Sequence, residues 1–433
     1  MESFPYSTCD RGGPSSELSP SYATADEGEP HRIAQLAPIS ESVPPVRYGG
    51  TERVVATLTE ELVRRKHQVT LFASGDSATS ACLVPVVEQA VWHQPLPHAD
   101  SARLLGVALG KLARVIHEFD IVHNHVGYLA YPLARLAPCP VVTTLHGRLD
   151  VPELAPLYRE FTDVPLVSIS YAQRRPEPNA RWVATIQHGI DLSQHTFNAR
   201  PGAYLAFLGR ISHDKGLDTA IRVARRAGLP LKIAARMPLP DRRDPEVRKD
   251  WQYYEQVVQP LLDGPGMEMV GEVGGADKNA FLGNAAALLF PIRWPEPFGL
   301  VMPEALASGT PVLALRAGSV PEVVEDGVSG FICQNEDELV QAVARIPQLD
   351  RARCRLEAER RFCSHMMADR YEALYARLIG DSHPHAAPAF PEVGAVVLKV
   401  APRDGGAEAR TSRDQAEDAT DRLSRAITRI GRW

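Results

Sequence analysis

Short runs of Val, Ile and Leu recur along this chain, each followed by a polar loop and then a helical pattern. "HRIAQLAP", "QVTLFAS", "DIVHNH", "PVVTTLHG", "PLVSIS" and "WVATIQHG" lack the polar alternation of a half-exposed strand. Such runs predict strands buried on both faces, as in a parallel sheet covered by helices. After the first run, Val55, Leu58 and Leu62 fall at i, i+3 and i+7, which predicts a helix from about Thr51. A second series opens with "YLAFLGRI" and continues through "LKIAAR", "MEMVGEV", "ALLFPI" and "PVLAL", with helices expected after Gly216 and near 249–262, 276–284 and 299–307. The pattern predicts two doubly wound α/β domains joined near residue 195, a division that a chain of 433 residues also favours.

The boundaries follow from composition. Residues 1–30 are rich in Ser, Pro, Gly and acidic residues and are expected to be a flexible leader. The two domains take 31–195 and 196–362. In 363–380, Met367, Tyr371, Leu374 and Leu378 share one helical face, which is expected to pack back toward the first domain. Residues 381–433 read as a flexible tail whose last stretch, "LSRAITRIGRW", makes at most a peripheral membrane contact.

Several function classes are disfavoured at once. A net charge of -6 with dispersed Lys and Arg leaves no electrostatic footprint for nucleic acid. The six cysteines are scattered and read as reduced packing thiols, and no apolar run is long enough to span a bilayer, so a cytoplasmic protein is expected. Oligomeric state is not legible.

In open parallel sheets, ligands sit beyond the carboxyl ends of the strands, and four loops there are unusual. "RYGGTERV" has Gly49 and Gly50 before a helix, which permits close backbone approach to an anion; a tight turn would use them equally well. "FLGRISHDKG" brackets its loop with Arg210 and Lys215, two cations suited to a diphosphate or to a solvated surface. "PEPFGLVMPEALASG" places Glu296 in a Pro-flanked loop and Glu304 about two turns into a helix that starts near Phe298 or Gly299. Carboxylates accept hydrogen bonds only, so they suit vicinal hydroxyls, while the helix start between them suits phosphate. Fourth, "VHNHVG" and "TLHGRLD" carry His123, Asn124, His125 and His146. His123 and His125 share a strand face, yet no third ligand stands at a metal-site spacing, which leaves structural histidines or the polar lining of a sugar pocket.

Other patterns are absent. "GVALGKL" is one residue short of a phosphate loop and has Leu where Ser or Thr must hold magnesium. G-x-G-x-x-G does not occur, and no D-x-D is present to hold a divalent cation against a diphosphate.

Taken together, the E-x7-E segment from Glu296 to Glu304, "GRISHDKG", "GSVPEVVEDGVSGFI" and "YGGTERV" resemble a family 4 glycosyltransferase of the two-domain GT-B fold over nearly all of 31–380. That resemblance implies two Rossmann-like domains facing a central cleft, the N-terminal one on the acceptor side and the C-terminal one binding the donor. It implies a retaining, metal-independent hexosyltransferase with a nucleoside diphosphate sugar as donor, UDP preferred over GDP, a hydroxyl acceptor and no cofactor. Arg210 and Lys215 would then bind the diphosphate, Glu304 the ribose, and Glu296 the transferred sugar. Gly49 and Gly50 would approach the phosphates, His146 would lie near the sugar, and Phe298, Gly299 and Leu300 would complete the donor site. Catalysis would rest on Glu296, His146, Arg210 and Lys215, with Asn124, His125 and Tyr128 on the acceptor side. Two positions depart from the usual pattern: His188 stands where relatives often have Asn, and Arg236 where some have Lys. A nucleotide-sugar epimerase of the same architecture and a non-catalytic binding module are the alternatives; base, sugar, acceptor and linkage are not encoded legibly.

Overall fold

A computed structural model describes residues 29–47, 49–93, 101–238 and 245–381. Nearly all of the leader (1–28), nearly all of the tail (382–433) and with it the "LSRAITRIGRW" segment lie outside the described residues.

The first sheet has seven parallel strands: β1 (Arg32–Leu36), β2 (Gln68–Ser74), β3 (Cys82–Val87), β4 (Ile121–Asn124), β5 (Val141–Thr144), β6 (Leu166–Ser168) and β7 (Trp182–Thr185), in the order β3-β2-β1-β4-β5-β6-β7. The second has six: β8 (Leu205–Arg210), β9 (Leu231–Arg236), β10 (Met267–Gly271), β11 (Ala287–Phe290), β12 (Val312–Leu315) and β13 (Gly330–Cys333), in the order β10-β9-β8-β11-β12-β13. Each order reverses beside its first strand. The two crevices therefore open at the carboxyl ends of β1 and β4 and of β8 and β11.

Alternation along β1 shows how the first core forms. Ile33 faces Val54, Leu58 and Leu62 of the helix Gly50–Arg64, while Ala34 and Leu36 face Ala108 and Leu112 of the helix Ser101–Val115. Val55 turns elsewhere, toward Ala37, Val43 and Leu71. The C-terminal helix Ser364–Asp381 adds Met367, Tyr371, Leu374 and Leu378 to the Ile33 side, so the chain's last described element completes the core of its first sheet. The crossings between the halves run side by side: Ile190 N–H donates to Phe362 O (2.7 Å), and Ser364 N–H donates to Ile190 O (3.0 Å).

Strands β3 and β13 fall outside the predicted set, and both are edges. Pro85 within β3 removes a ladder donor, which an edge tolerates. β13 contains Gly330, where a Cβ would lie 1.9 Å from Val312 O, so the strand needs that glycine and loses an apolar signal. The helix expected over 249–262 is split, with a wider π turn at Tyr254–Val258 between Pro245–Tyr253 and Gln259–Leu262.

Candidate active site

The segment after β8 turns through His213–Lys215 into Gly216, whose φ of 69° is left-handed. A Cβ there would lie 2.2 Å from Pro291 O, so only glycine lets this loop lie against the one after β11. Arg293 ties the same region together: its Nη2 donates to Asp218 Oδ2 (2.7 Å) and Thr219 Oγ1 (2.6 Å) at the start of the helix Leu217–Ala227. Strand pairing sets Arg210 beside Arg236 at the carboxyl ends of β8 and β9.

The loop after β11 bends sharply at Glu296, whose N–H donates to Trp294 O at 2.7 Å. Ser319 N–H donates to Glu296 O (2.9 Å) and Ser319 Oγ to Phe298 O (2.9 Å), which pins the loop from beneath. Lys215 Nζ reaches across to Glu296 Oε2 at 2.6 Å. Gly299 is left-handed (φ 75°), and the helix then runs Val301–Ala307. It begins later than expected, so Glu304 sits in its first turn rather than two turns in.

Both glutamates are buried, Glu296 at 8% exposure and Glu304 at 4%, which removes the surface reading of either. Glu304 Oε1 accepts from Lys278 Nζ at 2.5 Å. Burial opposes the charge on Glu304, but Lys278 and Arg53 outweigh it and hold the carboxyl below its ordinary range. Burial lowers Lys278 as well, and Arg53 adds to that against the pull of Glu304. With two cations on the carboxylate and one anion on the ammonium, we take the pair as ionised, with the lysine the easier member to neutralise.

From the first sheet, Gly49 caps the helix Gly50–Arg64 with φ 142°, and a Cβ there would meet Pro45 Cβ at 2.7 Å. Gly50 approaches Leu300, 3.6 Å from its own missing Cβ, so the two glycine-bearing loops nearly touch across the cleft. Beneath them Glu52 is buried, and burial, aided by Glu41, pushes its carboxyl up to about 7. Glu41 reaches Arg236 of the second sheet at 3.4 Å.

One cleft of roughly 1210 Å3, counting its open mouth, is lined by Gly49, Gly50, His146, Arg210, Lys215, Glu296, Phe298, Gly299, Leu300 and Glu304. It thus gathers every donor-side residue expected from the sequence. Arg47, Arg53, Arg236, Lys278 and His188 line it too. Asn124, His125 and Tyr128 do not belong to that lining. Asn124 is fully buried and closes a turn, donating to Gly127 O (2.8 Å) and Thr143 Oγ1 (2.9 Å) and accepting from Val126 N–H. Tyr128 packs beside Tyr131 and Leu145. His125 is buried against His146, with its Nδ1 2.9 Å from His146 Nε2. His123 is structural: Nδ1 meets Tyr375 Oη at 2.6 Å and Nε2 meets Thr144 Oγ1 at 2.7 Å. Burial lowers His146 to about 3, so the imidazole facing the cleft is neutral.

Lys278, Arg53, Arg47 and Glu52 were not singled out from sequence. Lys278 had a usable signal: "GGADKNAF" opens a helix just past the carboxyl end of β10.

Residues 193–361 match the sequence model of the family described as Glycosyl transferases group 1, and residues 48–194 match that of Glycosyltransferase Family 4. The chain belongs to the family 4 glycosyltransferases. This glycosyltransferase is 26% identical over 366 residues to a glycogen synthase of Mycobacterium tuberculosis, covering 72% of this chain and 85% of that one. It is 25% identical over 410 residues to a D-inositol 3-phosphate glycosyltransferase of Mycolicibacterium smegmatis, covering 78% and 89%. Among solved structures, the sucrose-phosphate synthase of Thermosynechococcus elongatus superposes with a TM-score of 0.66 at 19% identity, covering 81% of this chain and all (100%) of that one. AviGT4, a glycosyltransferase involved in avilamycin A biosynthesis, superposes at 0.60 with 24% identity, covering 81% and 98%. These two likenesses establish the GT-B fold of this enzyme, and the family places it among the glycosyl-transferring enzymes of EC class 2.4. Among the described residues, no helix is long and apolar enough to cross a membrane.

Proposed function

We propose that this glycosyltransferase moves a hexose from a nucleoside diphosphate sugar to an acceptor hydroxyl with retention at the anomeric carbon and without a metal ion. The observation that carries the reading is the cleft's charge arrangement. Arg210, Lys215 and Arg236 stand at the strand ends of the second sheet, and Arg47 and Arg53 face them from the first. Fixed cations can stabilise the charge that grows on a leaving diphosphate, the role a metal would otherwise fill.

In this reading, Arg210 and Lys215 hold the diphosphate. The first N–H groups after Gly299 add to it, since a helix start has donors with no partner of its own. Glu304 accepts from the ribose hydroxyls, and Glu296, oriented by Lys215, accepts from hydroxyls of the sugar. The bond between the anomeric carbon and the β-phosphate oxygen breaks, the acceptor oxygen bonds to that carbon on the same face, and the acceptor proton passes to the departing phosphate. Gly49 and Gly50 admit the phosphates closely from the opposite domain. A UDP-sugar is the first donor to try.

The test is thermal stabilisation by UDP, GDP, ADP and TDP with EDTA present, followed by NMR of the anomeric configuration in the product. Selective stabilisation by one nucleotide in EDTA and a retained anomer are expected. Stabilisation that requires magnesium, or an inverted product, would overturn the reading.

A further inference from the structure

Three histidines form a line from the inside of the first sheet to the cleft. Gln35 of β1 is fully buried, and its Oε1 stands 2.7 Å from His125 Nε2. His125 Nδ1 is 2.9 Å from His146 Nε2, and His146 Nδ1 is 3.4 Å from His188 Nε2. The ring centroids of His146 and His188 are 5.1 Å apart and nearly parallel, and His188 meets Phe298 edge-on at 5.0 Å. Only His146 and His188 of this line reach the cleft.

Such a line has a direction. An amide oxygen can only accept, so His125 must carry its proton on Nε2. In a neutral imidazole the other nitrogen is then an acceptor, and His125 Nδ1 must receive the Nε2–H of His146. His146 Nδ1 is left as a lone pair. The opposite direction would need the Gln35 amide reversed. In the structure the amide oxygen faces His125 Nε2, and the amide's own Nε2 end is buried without a hydrogen-bond partner.

We propose that Gln35 and His125 are positioning residues that hold His146 as its Nε2–H tautomer, so that Nδ1 is presented as an acceptor to a hydroxyl of the bound sugar. The 3.4 Å contact from His188 is the longest in the line and is the one a sugar hydroxyl replaces. A hydroxyl can donate to that lone pair, while a phosphate oxygen, itself an acceptor, is repelled by it, so the relay steers the sugar rather than the diphosphate toward His146. His188 contributes a second feature: its Nδ1 is buried with no partner. That buried, unmet nitrogen is an added cost on the His188 side of the contact, so the weak link to His146 is the one a sugar hydroxyl displaces. The inference rests on the donor-site reading above for the sugar contact, and on the structure alone for the tautomer.

Long-range proton–nitrogen correlation spectra of the full chain labelled at histidine, with His146→Asn for assignment, read the tautomer without any nucleotide. The proton of His146 is expected on Nε2; a proton on Nδ1, or an even mixture, would overturn the proposal. Gln35→Leu is expected to mix the tautomers and to lower kcat/KM for the donor about tenfold while nucleoside diphosphate affinity stays within about twofold. Gln35→Glu, which keeps an acceptor, is expected to restore the tautomer. Unchanged kcat/KM in a folded Gln35→Leu protein would overturn the role in catalysis, and if that variant fails to fold the wild-type spectrum still decides. A failed donor site would show as a protein that no nucleotide stabilises with the tautomer intact, whereas a failed relay would show as the wrong tautomer.

Discussion

Lys215 Nζ and Glu296 Oε2 are 2.6 Å apart although 81 positions separate them in the chain. The pair joins the loop after β8 to the loop after β11 at the point where the strand order reverses. Neither is fully exposed, at 17% and 10% of the side chain, so each fixes the other's rotamer in a partly desolvated cleft. Lys215→Ala is expected to lower kcat by roughly 10²–10³, the usual effect of removing one preorganised donor from a developing charge. Glu296→Gln is expected to lower kcat without weakening nucleotide binding. Because each residue holds the other, the double variant should lose less than the product of the two, which steady-state kinetics on all four proteins would measure. Strictly multiplicative losses would mean the pair does not act as a unit.

The Glu304–Lys278 pair calls for a different design. Removing one member of a buried ion pair leaves the other uncompensated, at a cost of about 3–5 kcal/mol. Glu304→Ala is therefore expected to lose stability and nucleotide binding together, a result that cannot separate the two. Glu304→Ala combined with Lys278→Met should recover most of the stability while nucleotide binding stays lost. Urea denaturation, read with and without UDP, checks both halves; recovered binding in the double variant would remove Glu304 from the donor site.

Gly318 tests the loop geometry with no change of charge. Its φ is 52°, and a Cβ would stand 2.3 Å from both the N and the O of Glu296. Gly318→Ala must therefore push the Glu296 loop aside. A displacement of about 1 Å in such a site can cost on the order of 10²-fold in rate. We expect that loss in kcat, with nucleotide stabilisation retained because Arg210 and Lys215 stand on another loop.

What could be read from the sequence divides along physical lines. Strands buried on both faces announce themselves by apolar runs, and the central ones, β1, β4, β8 and β11, were all legible. These are also the strands that place the site, which explains why Gly49, Arg210, Lys215, Glu296 and Glu304 could be anticipated together. Of the four edge strands, β7 and β10 kept apolar runs and were read, whereas Pro85 in β3 and Gly330 in β13 interrupt the apolar signal and those two were missed. Pairing was the other blind spot. "VHNHVG" shows two histidines on one strand face, yet only the register of β1, β4 and β5 reveals that His125 turns to Gln35 and His146 while His123 turns to Thr144 and Tyr375. Lys278 was overlooked because a lysine in a helix's first turn is ordinarily solvated; its burial depends on Glu304, 26 positions away.

The buried histidines also set the enzyme's response to acid. His123, His125 and His188 lie well below the ordinary histidine value and His146 at about 3, in each case because burial disfavours the imidazolium. The unfolded chain takes up protons near pH 6.5 that these rings refuse, so stability falls as pH drops through that value. At pH 5 His146 alone costs about 2 kcal/mol, and the other three rings act in the same direction, less than additively because the rings interact. Glu52 works in the opposite sense: raised to about 7, it binds its proton in the fold before the unfolded chain does, and stabilises the protein as pH falls from 7 toward 4.5. One carboxyl shifted by that amount offsets roughly 3 kcal/mol at most, against four histidines. The net expectation is a steep loss of stability between pH 7 and 5, measured as the urea midpoint, and a shallower slope in His188→Asn. A flat profile over that range would show that the imidazoles accept protons in the folded state, and with them the neutral chain from Gln35 to His188 would fall.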